Sequence, residues 1–98
     1  MNLEKEEIEL IGEWIFQNGE MVEDSVAKRI NLLKDDFLIK VATDESGWNT
    51  LYKDPEDNRY WELTYRNSDL QGGGAPLLTN LNKESALLKY NIDDSQIK

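Results

Sequence analysis

Cysteine and histidine are both absent from this chain. Without thiols there is no disulfide scaffold, no thiolate zinc site, no iron–sulfur cluster and no cysteine nucleophile. Without imidazole, the commonest metal ligand and the usual general base near neutral pH are also missing. Positive charge is scarce: eleven Lys and Arg face twenty Asp and Glu, for a formal net charge of −9. That balance disfavours nucleic acid and anionic lipid as partners, since both attract basic patches. No apolar run approaches the roughly 18–20 residues needed to cross a bilayer, and the N-terminus lacks the basic start and apolar middle of a signal peptide. The expectation is a soluble, cytoplasmic, acidic protein that binds neither nucleic acid nor membrane and holds no metal or cofactor.

Three Trp, four Tyr and two Phe are more aromatics than a disordered chain carries, even with 32% charged residues. A chain of this size buries about 60–68% of its unfolded surface, enough for a core but not for a large internal cavity. Residues 1–98 read as one domain without repeats, opening on an acidic segment over 1–9 and closing on a polar tail over 93–98 that is expected to fray. The acid is concentrated. Residues 1–24 hold eight carboxylates against Lys5 alone, so −7 of the −9 lies there. This is either a solubilising face or a partner-facing one, and charge alone does not choose.

Residues 3–11 favour a short helix through Leu3, Glu4, Glu6 and Glu7, with Ile8 and Ile11 on one side. Glu13–Gln17 reads as a strand that Asn18-Gly19 turns back into Glu20–Val22, because both residues suit the positive φ of a type I′ turn. Asp24 is a helix N-cap, and Val26, Ile30 and Leu33 form one apolar stripe on a helix over 25–34, with Ala27 beside it. Phe37, Ile39 and Val41 alternate with Leu38, Lys40 and Ala42 in a half-buried strand to Thr43. After a turn over 44–47, residues 48–53 and 59–66 form an antiparallel hairpin around Asp54-Pro55-Glu56-Asp57-Asn58. Glycines 72–74 and Pro76 exclude regular structure. A short apolar piece follows at Leu77-Leu78, and Asn82 caps a last helix to about Tyr90, with Leu81, Ala86, Leu87 and Tyr90 available for burial. The predicted class is α+β: a small antiparallel sheet with a helix packed on one face and a short C-terminal helix.

Candidate chemistry is thin. An EF-hand counted from Asp54 fits at Glu56 and Asn58 but puts Arg59 where the glycine belongs and Tyr65 where the bidentate glutamate belongs. The triple glycine lacks the following lysine and helix of a phosphate cradle. Among twenty acids, Asp54, Asp57 and Glu62 do not single themselves out as a catalytic pair. The aromatics Trp48, Tyr52, Tyr60, Trp61 and Tyr65 crowd one hairpin. Alternation divides them between two faces, and a helix covers one, so part of the set covers a core edge while Tyr60 is the ring expected to face out as an interface anchor.

The segment Gly47-Trp48, Leu51-Tyr52-Lys53-Asp54-Pro55, Asp57-Asn58-Arg59-Tyr60-Trp61-Glu62-Leu63-Thr64-Tyr65 and Gly72-Gly73-Gly74-Ala75-Pro76-Leu77 resembles the immunity protein 27 family of bacterial polymorphic toxin systems. Gly12-Glu13-Trp14-Ile15-Phe16 fits the same pattern, so the resemblance spans roughly residues 10–90. Asn58 stands where the family has a glycine, and it tolerates the same turn geometry. The resemblance implies a non-enzymatic inhibitor, a monomer in the favoured reading, that neutralises a cognate toxin domain by stoichiometric binding. A basic toxin such as a nuclease would suit the acidic surface. The expected toxin contacts are Glu45, Asp54, Glu56, Asp57, Tyr60, Glu62, Gly72, Gly73 and Gly74. A small acidic secretion chaperone or adaptor is the alternative.

Overall fold

The computed structural model describes residues 3–65 and 74–92. Nine elements follow in order: β1 (Glu9–Ile11), β2 (Trp14–Gln17), β3 (Glu20–Glu23), α1 (Ser25–Asp36), β4 (Ile39–Thr43), β5 (Thr50–Lys53), β6 (Tyr60–Tyr65), β7 (Pro76–Leu81) and α2 (Lys83–Lys89). The main sheet is antiparallel throughout, in the order β1-β7-β6-β5-β4, while β2 and β3 form a separate two-stranded arm. The class is α+β, as the residue pattern predicts.

Helix α1 starts where its chemistry says it should. The Asp24 carboxylate accepts from the Ala27 amide at 2.8 Å, and Ala27, Ile30 and Leu33 are buried. Its apolar stripe meets Leu10, Leu38, Tyr52, Trp61, Leu63 and Leu78 in the larger core cluster, which Leu3 closes from the N-terminal side. Cross-strand partners share a face, so Tyr52 opposite Trp61 and Leu63 opposite Leu78 point together toward α1. The opposite face carries a second cluster of Leu51 and Tyr60 under Ala86 and Tyr90 of the α2 end. Asn82 caps α2 by accepting from the Ser85 amide at 2.8 Å. Both faces of the sheet are therefore covered.

Four expectations are corrected. The helix proposed over 3–11 is absent: Glu4–Glu7 is a turn, and Glu9–Ile11 pairs with β7. Local propensity loses there to the unpaired edge of a sheet that has a register for it. Gly12, next in the chain, sits so close to its neighbours that a Cβ would lie 2.7 Å from the Pro76 carbonyl oxygen and 3.0 Å from the Ala27 Cβ. Second, α1 runs two residues beyond Lys34, and the pairing of β4 shifts register between Lys40 and Ala42. Leu38 is buried and Ile39 exposed ahead of the shift, whereas past it Val41 and Ala42 both pack against the same core cluster, so alternation breaks there. Third, Leu77-Leu78 belongs to a six-residue strand that opens at Pro76 and fills the place between β1 and β6. Fourth, Tyr60 does not face out. It is 6% exposed, because α2 covers the face that the sequence alone left open.

Candidate functional site

The acidic turn after β5 is built to hold itself together. Asp54 is fully buried, and its Oδ1 accepts from the amides of Glu56 at 2.7 Å and Asp57 at 3.4 Å. Its own amide donates to the Arg59 carbonyl, its carbonyl accepts from the Asn58 amide, and Asn58 takes φ 66°, as a glycine substitute in this turn must. Asp57 accepts from Arg59 Nε at 2.6 Å and from the Arg59 amide at 3.0 Å. Against the upward pull of burial, that amide and guanidinium hold the Asp57 carboxyl below the usual range. Arg59 also donates to the carbonyls of Glu7 and Glu4, at 2.7 and 2.9 Å, and its guanidinium lies 4.9 Å from the centre of the Trp61 ring. The turn clamps the N-terminal segment onto the sheet.

The expected contact residues do not converge. Asp54, Tyr60 and Glu62 are buried, and Asp57 is half-buried and engaged. Glu62 accepts from the Tyr90 hydroxyl at 2.8 Å and pairs with Lys89 Nζ at 2.5 Å; burial first, and then this carboxylate, push the Tyr90 phenol far above its ordinary range. Glu56 is exposed beside a concavity bordered by Leu3–Glu6, whereas exposed Glu45 borders another near Lys89 and Tyr90. Gly74 is buried in a third location, and Gly72 and Gly73 lie outside the described residues.

That third location is a groove of about 280 Å³ between the arm and the main sheet. The rings of Trp14, Trp48 and Tyr65 line it, with Glu23 and Asn31 as its polar groups and Gly74-Ala75-Pro76 passing alongside through Gly74 and Pro76. Trp48 is 59% exposed and Trp14 37%. The apolar surface continues onto the arm. Phe16 pairs with Met21 across the ribbon, and both share the face of Trp14 two residues away. Phe16 is 74% exposed and Met21 59%. Exposed rings and a thioether on one face of the ribbon are the kind of surface side chains that protein interfaces use. A signal for it was present: Trp14, Ile15 and Phe16 run without alternation and face Met21 and Val22, more apolar surface than a two-stranded ribbon buries on one side.

No helix among the described residues is long and apolar enough to cross a membrane. The family described as Immunity protein 27 matches residues 16–82, from the tip of the arm through α1 and the four sheet strands β4 to β7. No curated protein and no solved structure matches the chain. The match takes in about two thirds of the sequence, including the arm tip, Trp48 and the clamped turn, and on that ground the chain belongs to the Immunity protein 27 family.

Proposed function

We propose that this protein neutralises a cognate toxin domain in the cytoplasm of the producing cell, as a monomer that binds stoichiometrically and transforms no substrate. The observation that carries the reading is the exposed apolar surface running from the Trp48 groove to Phe16 and Met21, on a chain of net charge −9. Such a surface costs solubility unless a partner covers it, and membership of an immunity family supports a toxin as that partner. Aromatic anchors of this kind carry most of the energy of a tight interface. Exposed Glu13, Glu20, Glu45 and Glu56 would steer a basic toxin, a nuclease being the natural case. Asp54, Tyr60 and Glu62, being buried, then hold the fold and do not touch the toxin.

The test is to search the neighbouring genes for a toxin domain and co-express it with this protein. Wild type should restore growth, and the pair should co-purify at one to one. Phe16→Ala and Trp48→Ala should each weaken binding by about 2 kcal/mol, roughly thirtyfold, while folding normally. Full protection by the double variant, at unchanged affinity, would refute the placement of the contact surface; failure of wild type to bind or protect would refute the function.

A further inference from the structure

Resting on that reading, we propose that the groove between the arm and the main sheet receives an arginine side chain of the partner. Among the described residues, three aromatic side chains, Trp14, Trp48 and Tyr65, share this cavity with one carboxylate, Glu23, and with no lysine or arginine. Asn31 Nδ2 donates to Glu23 Oε2 at 2.5 Å, which fixes the carboxylate from the helix α1 side. On the arm side of the groove, residues 12–24 carry Glu13, Glu20, Glu23 and Asp24 without one cation.

These features select the occupant. An apolar side chain would gain the rings but leave Glu23 facing hydrocarbon, at a desolvation cost. A carboxylate would meet Glu23 and the negative faces of the indoles. A cation gains both from the ring quadrupoles and from the carboxylate. Between the two cationic side chains, guanidinium is flat, weakly hydrated and able to stack on an indole while presenting N–H groups edge-on to one carboxylate. An ammonium sheds water less readily and has no flat face to stack. The volume of about 280 Å³ leaves room for an arginine side chain with its methylene stem against the rings. In this arrangement the Phe16–Met21 face supplies the apolar contact and the groove supplies the charge-selective one, which makes the partner a protein with an arginine beside an apolar depression.

The three tryptophans offer the readout. Trp14 and Trp48 are in the groove, whereas Trp61 is fully buried beneath α1 and serves as an internal reference. The whole protein is titrated with N-acetyl-arginine-N-methylamide while the indole N–H resonances are followed by NMR. The lysine analogue and the uncharged isostere citrulline are run in parallel. Arginine should shift Trp14 and Trp48 saturably and leave Trp61 still, with lysine weaker and citrulline weaker by at least about tenfold. Glu23→Gln keeps an acceptor for Asn31 and should weaken arginine by about tenfold, with Trp61 reporting an intact core. Equal response to citrulline, indifference to Glu23→Gln, or no saturable shift of Trp14 and Trp48 would each overturn the proposal. None of these outcomes bears on toxin rescue by the wild-type chain. Conversely, loss of rescue with arginine binding intact would count against the neutralising function alone.

Discussion

Arg59 ties its own turn and strand, through Asp57 and the Trp61 ring, to the carbonyls of Glu4 and Glu7 more than fifty residues away. Arg59→Ala strips these acceptors together, so unfolding in urea should show a loss of about 2–3 kcal/mol, more than a surface ion pair contributes. Glu7 continues the brace, receiving two parallel bonds from Arg29 at 2.6 and 2.7 Å. The Arg29 hydrogen bonds hold its carboxyl down at about 2, burial opposing them, against an ordinary value of 4.5. A carboxyl with a depressed folded-state pKa stabilises above the unfolded value and loses that contribution as pH falls toward the folded one. The stability gap between wild type and Glu7→Gln should therefore be constant above pH 4.5 and close between 4.5 and about 2. Because the pair is partly exposed, the gap itself should be about 1 kcal/mol. A gap that persists below pH 2 would mean the ion pair is not its source. Asp54 belongs to the same scale. Asp54→Ala leaves the amides of Glu56 and Asp57 without their acceptor and should cost about 1–3 kcal/mol, so charge reversal at this position reports folding and not recognition.

At the level of elements, the arm and the body are built to different standards. The body has two half-cores sharing β5 and β6, whereas the arm is a ribbon of two four-residue strands with exposed side chains, the type of unit that is marginal by itself. Its turn depends on Asn18 at φ 53° and Gly19 at φ 82°. Gly19→Val should open the arm locally: amide exchange over 14–23 should accelerate and toxin affinity fall, while the main thermal transition stays within a few degrees. Gly12→Ala should do the reverse. With a Cβ 2.7 Å from the Pro76 carbonyl oxygen, α1 and β7 must separate, and the whole domain should lose about 2 kcal/mol or more. What could be read from the chain beforehand follows the same division. The Asn18-Gly19 arm, the Asp24 cap, the Ile30–Leu33 stripe, the 54–58 turn and the Asn82 cap were legible, because each depends on neighbours a few residues apart. The strand character of Glu9–Ile11 and the length of β7 were not, since each is decided by the other across the sheet. Tyr60 and Glu62 were misplaced for a related reason. Which side of β6 meets solvent depends on where α2 docks, and a seven-residue helix does not announce its docking face. The groove was hidden longest, because Trp14, Trp48 and Tyr65 meet only in three dimensions.

For the molecule as a whole, charge governs how it meets others. With −9 on 98 residues, association with a basic toxin should slow at least about tenfold between low and physiological ionic strength, as stopped-flow fluorescence of Trp48 would read. A rate indifferent to salt would show that the toxin face is not basic. The extents of 49 × 29 × 20 Å describe an elongated body, which gives that field a long side to present. The same electronegativity has a second effect, on copies of the protein itself. Phe16 and Met21 are exposed, and a net charge of −9 sets like molecules against one another where such side chains would otherwise attract. Near the sequence pI of about 4.4, light scattering should register clumping that Phe16→Ser abolishes. On the proposed neutralising role, mutual electrostatic avoidance would let an adhesive be stored safely ahead of need.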